Sequence, residues 1–361
     1  MNRTLVDRIA DAILYEGYIL YPYRPSVKNR QRWTFGGLYP EAYSRAQAGA
    51  DASGNQTECL IHGSEATTVE AVVRFLHLTA RVVGAFDPPL TEWPAEGAPS
   101  YRAVEALRIG DRLFQTWQEA EAREIAWCGL ELKNILERPH RQEFTLPGRS
   151  WLEPLRGPDG KVAGVLAREQ QEINEEIEIA AAAVDDGLFR LTLRVLNRTP
   201  LHDAGRVSRD DALLRSLVST HVLLGVRDGE FVSLLEPPEE WREAAAGCRN
   251  VGVWPVLAGE EGSKDVMLSS PIILYDYPQV APESPGDLFD GGEIDEILTL
   301  RILTLTDEEK GAMAAVDGRA RELLARTEAL GGEDMSRLHS AMRHLRPIEG
   351  ENGHEGVGSR G

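Results

Sequence analysis

Apolar and polar positions alternate with a period of two through much of the chain's middle, and switch to a helical period towards both ends. Residues 4–14 place Leu5, Ile9 and Ile13, with Val6 and Ala10, on one stripe. That spacing predicts an amphipathic helix capped by Thr4, with Asp7 three residues on in the capping-box place. Residues 56–61 and 69–83 read as strands. The second is apolar on both faces, which predicts a long central strand, with a helix as the competing reading. Three hairpins follow from turn chemistry. Residues 104–109 turn at Gly110-Asp111 into 112–117. Residues 176–184 turn at Asp185-Asp186-Gly187 into 188–196, with Glu176 and Glu178 facing Arg190 and Arg194 across the outer side. Residues 221–227 turn at Asp228-Gly229 into 230–235. Residues 237–247 form a short helix bounded by proline and glycine. Strands at 251–257 and 266–275 precede helices at 293–304 and 306–330, the last with Thr306 and Glu309 as its capping box.

Many antiparallel strands with helices at the two ends, and no βαβ alternation, predict an α+β fold. Its centre is an antiparallel β-sandwich or rolled sheet. Residues 1–150 read as an N-terminal α+β region and 151–330 as a β-rich region ending in helices, either separate or integrated into one domain to 330. Residues 331–361 read as a disordered tail.

The chain of 361 residues is 42% hydrophobic and 27% charged, an ordinary globular profile. Its 58 acids against 39 bases leave a net charge of -19. That balance disfavours nucleic acid and anionic membrane as partners. No apolar run reaches the roughly 20 residues of a membrane span, and the N-terminus does not read as a signal peptide. Three widely spaced cysteines, Cys59, Cys128 and Cys248, do not suggest a disulfide framework. The expectation is a cytoplasmic protein.

Candidate chemistry is sparse. Cys59-Leu60-Ile61-His62 is a Cys-x-x-His pair. In a turn it could share a metal ion; on an extended strand its two side chains point apart. No cofactor is expected beyond that possible ion. His77 and His221 sit among apolar residues, where a histidine is more often a satisfied core residue than a base. Ser216, Ser219, Ser269 and Ser270 lie outside any Gly-x-Ser-x-Gly elbow. No phosphate-cradling glycine loop occurs. The aromatic block of Tyr15, Tyr18, Tyr21, Tyr23, Trp33, Phe35 and Tyr39 reads as core or protein-binding surface. Six acids lie between Glu283 and Glu296. Their spacing departs from the calcium-binding loop. They suit either the positive end of the following helix or a docked partner.

Two stretches resemble a known family. Leu14-Tyr-Glu-Gly-Tyr-Ile-Leu-Tyr-Pro-Tyr-Arg24 with Trp33-Thr-Phe-Gly36 resembles the start, and Glu283-Ser-Pro-Gly-Asp-Leu-Phe-Asp290 with Glu293-Ile-Asp-Glu-Ile-Leu-Thr-Leu-Arg301 the C-terminal signature, of an uncharacterised accessory family. Its members are encoded with actinobacterial-type, high-affinity nickel-iron hydrogenases. The resemblance spans roughly residues 5–330 and implies a non-enzymatic role in assembly, maturation or handling of a hydrogenase subunit. It carries over no catalytic residue. On that reading Tyr18, Tyr21, Tyr23 and Trp33 are aromatic anchors for a protein partner. Glu283, Asp287, Asp290 and Glu293 complement its charge. Metal handling through Cys59 and His62, or an unrecognised hydrolase on a β-rich fold, are the alternatives.

Overall fold

The computed structural model describes residues 36–278 and, outside that span, positions 7, 9, 10, 310, 311, 321, 324 and 325. The described chain is mostly antiparallel β-sheet with a few short helices. Helix α1 (Glu41–Ala46) leads into β1 (Gly54–Leu90), then β2 (Arg102–Val104), β3 (Ala106–Ile109), β4 (Arg112–Gln115) and β5 (Trp117–Glu131). Helix α2 (Leu132–Glu137) precedes β6 (His140–Leu146), β7 (Arg149–Arg156), β8 (Val162–Gln170), β9 (Ile173–Asp185) and β10 (Leu188–Asn197). Helix α3 (Arg209–Leu213), β11 (Val218–Val232), α4 (Arg242–Ala246), β12 (Trp254–Leu257) and β13 (Val266–Ser270) complete the order.

Strand β1 organises everything else. The two segments expected at 56–61 and 69–83 are one strand of 37 residues. Its central run is buried on both faces: Val69, Ala71, Val73 and Phe75 on one, Val72, Leu76 and Leu78 on the other. Such a segment loses its apolar surface only where layers cover the sheet on both faces, here the main cluster on one and the cluster with Ile9 and Ala10 on the other. Along one side of β1 run β10 (partners of 54–62), β5 (68–81) and β2 (83–85). Along the other run β11 (60–76) and β8 (79–90). The ladder extends as β12-β13-β11-β1-β10-β9-β6, eleven strands in one sheet, with β3 and β4 a separate ribbon. Because β1 pairs with β8, β10 and β11, strand pairing crosses residue 150.

The sheet folds back on itself at a corner in β1. Its register against β11 shifts between Gly63 and Thr68. Ser64 N donates to Thr67 Oγ1 (3.0 Å), and that hydroxyl donates to Asp228 O (2.6 Å). A Cβ on Gly63 would strike Thr67 Oγ1 and lie 3.3 Å from Gly229 Cα, so glycine is required. The corner corrects the third hairpin. Asp228, at φ 59°, does not reverse the chain; β11 continues through it beside the matching excursion of β1. Past the corner the two layers face each other. Thr57 Oγ1 and Ser269 Oγ are 2.7 Å apart, yet Ser269 pairs with Val222, itself the partner of Val73. Sixteen residues of straight strand would separate positions 57 and 73 by about 50 Å. Only a sharp bend brings Ser269 to Thr57, as bulged strands do when they pass between packed layers.

One apolar cluster fills the interior. It joins Cys59 and Ile61 of β1 with Ile177 and Ile179 of β9, Leu191, Leu193 and Val195 of β10, Val222 and Leu224 of β11, and Leu132 and Ile135 of α2. The β9–β10 hairpin has the expected alternation, Ile177 opposite Val195 and Ile179 opposite Leu193. Its outer charges differ in part. Glu178 bonds Arg194 (2.7 Å) and Arg141 of β6; Glu176 pairs with Arg141 and Arg198, both at 3.3 Å. Arg190 turns to Cys248 instead. The first hairpin is present as β3–β4.

Of the terminal helices, Asp7, Ile9 and Ala10 are helical, and Ile9 and Ala10 pack on Val72, Leu223, Val256 and Leu268 of the outer face. Lys310, Gly311, Arg321, Leu324 and Ala325 are helical. The rest of those expected helices, and the tail, lie outside the described residues. Among the described residues, no helix is long and apolar enough to cross a membrane.

Candidate functional site

Beyond Phe75 the inner face of β1 changes character. Phe75 belongs to the main cluster and Val83 to a second one with Leu155 and Leu166. Between them stand His77, Thr79 and Arg81. Cross-strand pairing surrounds these three with polar groups on the same face. Strand β5 sets Glu121 opposite His77 and Glu119 opposite Thr79, with Arg123 opposite Phe75. Strand β8 sets Gln170 opposite Thr79 and Arg168 opposite Arg81. Strand β7 adds Arg149 beside Gln170 and Trp151 beside Arg168. The local cause is the period of two in 119–123, where Glu, Glu and Arg occupy alternate positions.

The platform divides into two charge centres. In the first, Glu119 accepts from Arg81 Nη1 (2.9 Å) and Arg168 Nε (2.6 Å), while Arg168 Nη1 also reaches Glu153 (2.7 Å). Arg81 Nε and Nη2 donate to Gln115 O. Burial pushes the Glu119 carboxyl up, but the hydrogen bonds and charges of Arg168 and Arg81 outweigh it and hold it below its ordinary value. Trp151 lies under two guanidiniums, Arg149 at 4.8 Å and Arg168 at 6.0 Å from its ring centroid.

In the second centre, Glu121 accepts from Arg123 Nη2 (3.0 Å), Arg149 Nη2 and Gln170 Nε2 (3.3 Å). Gln170 Oε1 accepts from Arg149 Nε (2.9 Å) and Arg123 Nη2 (3.2 Å), and its amide donates to Thr79 Oγ1 (3.1 Å). His77 is fully buried, with Nε2 2.8 Å from Gln171 O. Burial lowers its pKa to about 4, so it is neutral at physiological pH. Two arginines held on one glutamate and one glutamine present fixed positive groups, an arrangement suited to recognition of anions rather than to proton transfer.

The structure separates the other expected site residues. Cys59 and His62 lie on opposite faces of β1: the thiol is in the core, and the exposed imidazole lies tilted against Trp241, ring centroids 4.9 Å apart. Burial raises the Cys59 pKa well above its usual value, so the thiol is not a nucleophile at neutral pH. Among the described residues no group of three or more His, Cys, Asp or Glu side chains converges as a metal site. His221 is fully buried, its Nδ1 3.0 Å from Ser219 O, and burial lowers its pKa to about 4. Ser216 and Ser270 donate to backbone carbonyls, and Ser269 bonds Thr57. Tyr18, Tyr21, Tyr23, Trp33, Glu283, Asp287, Asp290 and Glu293 lie outside the described residues. Sequence reasoning missed the arginine platform; the alternation at 119–123 was its one local signal. It also missed Glu175 on β9, which is 1% exposed with neither carboxyl oxygen hydrogen-bonded.

No protein-family model matches the chain, and a comparison with curated proteins finds no match.

Proposed function

We propose that the chain is a non-enzymatic accessory protein that binds a hydrogenase subunit or its precursor. The resemblance at residues 14–36 and 283–301 supplies the partner class. The observation that carries a binding role is the exposure of large apolar side chains on the last described strands of the sheet. Trp254, Ile273 and Tyr275 are 43%, 75% and 87% exposed. Trp254 pairs with Ser270 on β13, and Tyr277 N bonds Leu257 O (2.7 Å), so residues 271–277 return alongside β12. Large apolar side chains left exposed near a sheet edge are the usual anchors of a protein interface. Glu283, the first of the six acids, follows Tyr275 by eight residues in the sequence.

The test is affinity purification of the tagged chain from a hydrogenase-producing host, with metal analysis of the same sample. A stoichiometric hydrogenase subunit, lost in a Trp254→Ala, Tyr275→Ala double variant, supports the reading. A monomer without partner in every growth condition sinks it. Bound stoichiometric metal on that monomer would favour the metal-handling alternative.

A further inference from the structure

Two strands end the main ladder, β12 and β6, and they end it differently. Strand β12 is closed. Ala258 N bonds Val266 O, so by the alternation of an antiparallel ladder the even positions of β12 face β13 and the odd ones face outward. Of the odd ones, Pro255 has no N–H to offer. Leu257 already donates to Asp276 Oδ1 (2.8 Å) and accepts from Tyr277 N (2.7 Å). Strand β6, His140–Leu146, contains no proline.

The same alternation shows which groups of β6 are left over. Arg198 N bonds Asn174 O, and Asn174 N bonds Thr199 Oγ1 (3.0 Å). The even positions of β9 therefore face β10 and the odd ones face β6. Ile179, Ile177 and Glu175 stand opposite His140, Gln142 and Phe144, which makes these the hydrogen-bonded pairs. Arg141, Glu143 and Thr145 aim their backbone N–H and C=O away from the sheet, and all three are exposed. Among the described residues no strand pairs with that edge. Such an edge is a template for another strand.

The side chains select the strand. Arg141 shares Glu176 and Glu178 with Arg198 and Arg194, and its side chain is 59% exposed. Glu143 enters no ion pair among the described residues. A cation and an anion two positions apart make the edge complementary to itself. An antiparallel pairing of two copies centred on Gln142 sets Arg141 of each opposite Glu143 of the other. Both are outward-facing positions, so their backbone groups meet in the same register. Centred on Arg141 or on Glu143 instead, the pairing sets like charges face to face. In the register centred on Gln142, His140 also stands opposite Phe144 across the join. Both rings lie beside Trp127, with centroids 5.0 and 6.4 Å from it.

We propose that β6 is a self-association edge: two copies of the chain join β6 to β6, antiparallel, about a twofold axis at Gln142, and one sheet runs through both. Repulsion between two chains of net charge -19 is screened beyond about 8 Å at physiological salt, which leaves the contact charges to decide. The proposal is independent of the partner reading, since β6 contains none of Trp254, Ile273 and Tyr275.

The experiment is sedimentation equilibrium of the full chain at physiological salt, from roughly 1 to 200 μM. The wild type should show a monomer–dimer equilibrium. Glu143→Arg sets like charges across the join and should raise the dimer Kd at least roughly tenfold, with an unchanged circular dichroism spectrum. Glu240→Arg, the same charge change at an exposed site away from β6, should leave the Kd as it is. Oxidative crosslinking reads the register, in chains that also carry Cys128→Ser. Gln142→Cys faces its own copy at a Cα separation of about 4.5 Å, within disulfide reach, and should crosslink. Glu143→Cys faces Arg141 and should crosslink far less. A monomer across the whole range, a dimer indifferent to Glu143→Arg, or crosslinking no better at 142 than at 143 would overturn the proposal.

Discussion

Glu175 should make the protein lose stability as pH rises through neutrality, and Glu175→Gln should abolish that loss. The carboxyl sits on the inner face of β9 between Ile173 and Ile177, opposite Asn197 on β10 and Phe144 on β6. Asn197 cannot turn to serve it. Its amide donates to Leu38 O (2.8 Å) and Arg215 O (2.9 Å), and its oxygen accepts from Thr199 N (2.9 Å). Burial alone raises the Glu175 pKa from 4.5 to about 8. The folded state thus keeps a proton that the unfolded chain releases above 4.5. The stability is fully present below that value, falls as pH climbs, and levels off above about 8. At pH 7 the cost reaches about 3 kcal/mol, and between pH 6.5 and 8 the wild type should lose about 1.5 kcal/mol that the glutamine variant does not. Urea titrations followed by tryptophan fluorescence at pH 6.5, 7.2 and 8.0 would measure this, provided the denaturant slope is common to both proteins. Parallel pH profiles for the two proteins would refute the reasoning and imply that the carboxylate is met inside the fold.

Four further outcomes follow from the same geometry. His77 and His221, both lowered by burial to about 4, stay neutral in the fold while the unfolded chain protonates below 6.5. Stability should therefore fall as pH drops from 6.5 to 4, by up to about 3 kcal/mol each. With Glu175 acting on the alkaline side, thermal midpoints should peak near pH 6.5, and a rise continuing to pH 8 would contradict this. Glu119→Gln strips the countercharge from Arg81, whose side chain is 7% exposed, and should cost about 3 kcal/mol; adding Arg81→Met should recover part of it in a double-mutant cycle. Gly63→Ala should cost about 2 kcal/mol in chemical denaturation, because Thr67 is locked on Asp228 and cannot move aside. Thr57→Val leaves the buried Ser269 hydroxyl without its partner and should cost about 1–2 kcal/mol; no change would show that the two layers do not depend on that bond.

The elements most legible in the sequence were those whose information is local. The β9–β10 hairpin announces itself through alternation on both arms around Asp186-Gly187, and β3–β4 through Gly110-Asp111. The two-sided apolar run at 69–83 announced burial but not its extent. The missed strands β6, β7 and β8 carry mixed charge and weak alternation. What makes them strands is the ladder that β9 offers to β6, β1 to β8 and β8 to β7, rather than any preference of their own. The same limit hid the candidate site. Arg149, Gln170, Glu121 and His77 are scattered over almost a hundred residues, and only the pairing of four strands sets them on one face.

Asp228-Gly229 shows where the division falls. By itself the sequence determined that the chain must bend there, since glycine and a left-handed aspartate permit it. It determined the β-rich class and the net negative charge as well, because each depends on residue type and period alone. Whether the bend reversed the strand or merely turned a corner depended on β1, whose excursion at Gly63–Thr67 lies more than 160 residues earlier and donates the Thr67 hydroxyl to Asp228 O. The fold-back of the sheet, the unpaired carboxyl of Glu175 and the assembly of the arginine platform were likewise decided by tertiary structure. Hydrogen-bond registers between distant strands select which side chains share an interior, and no single segment encodes that choice.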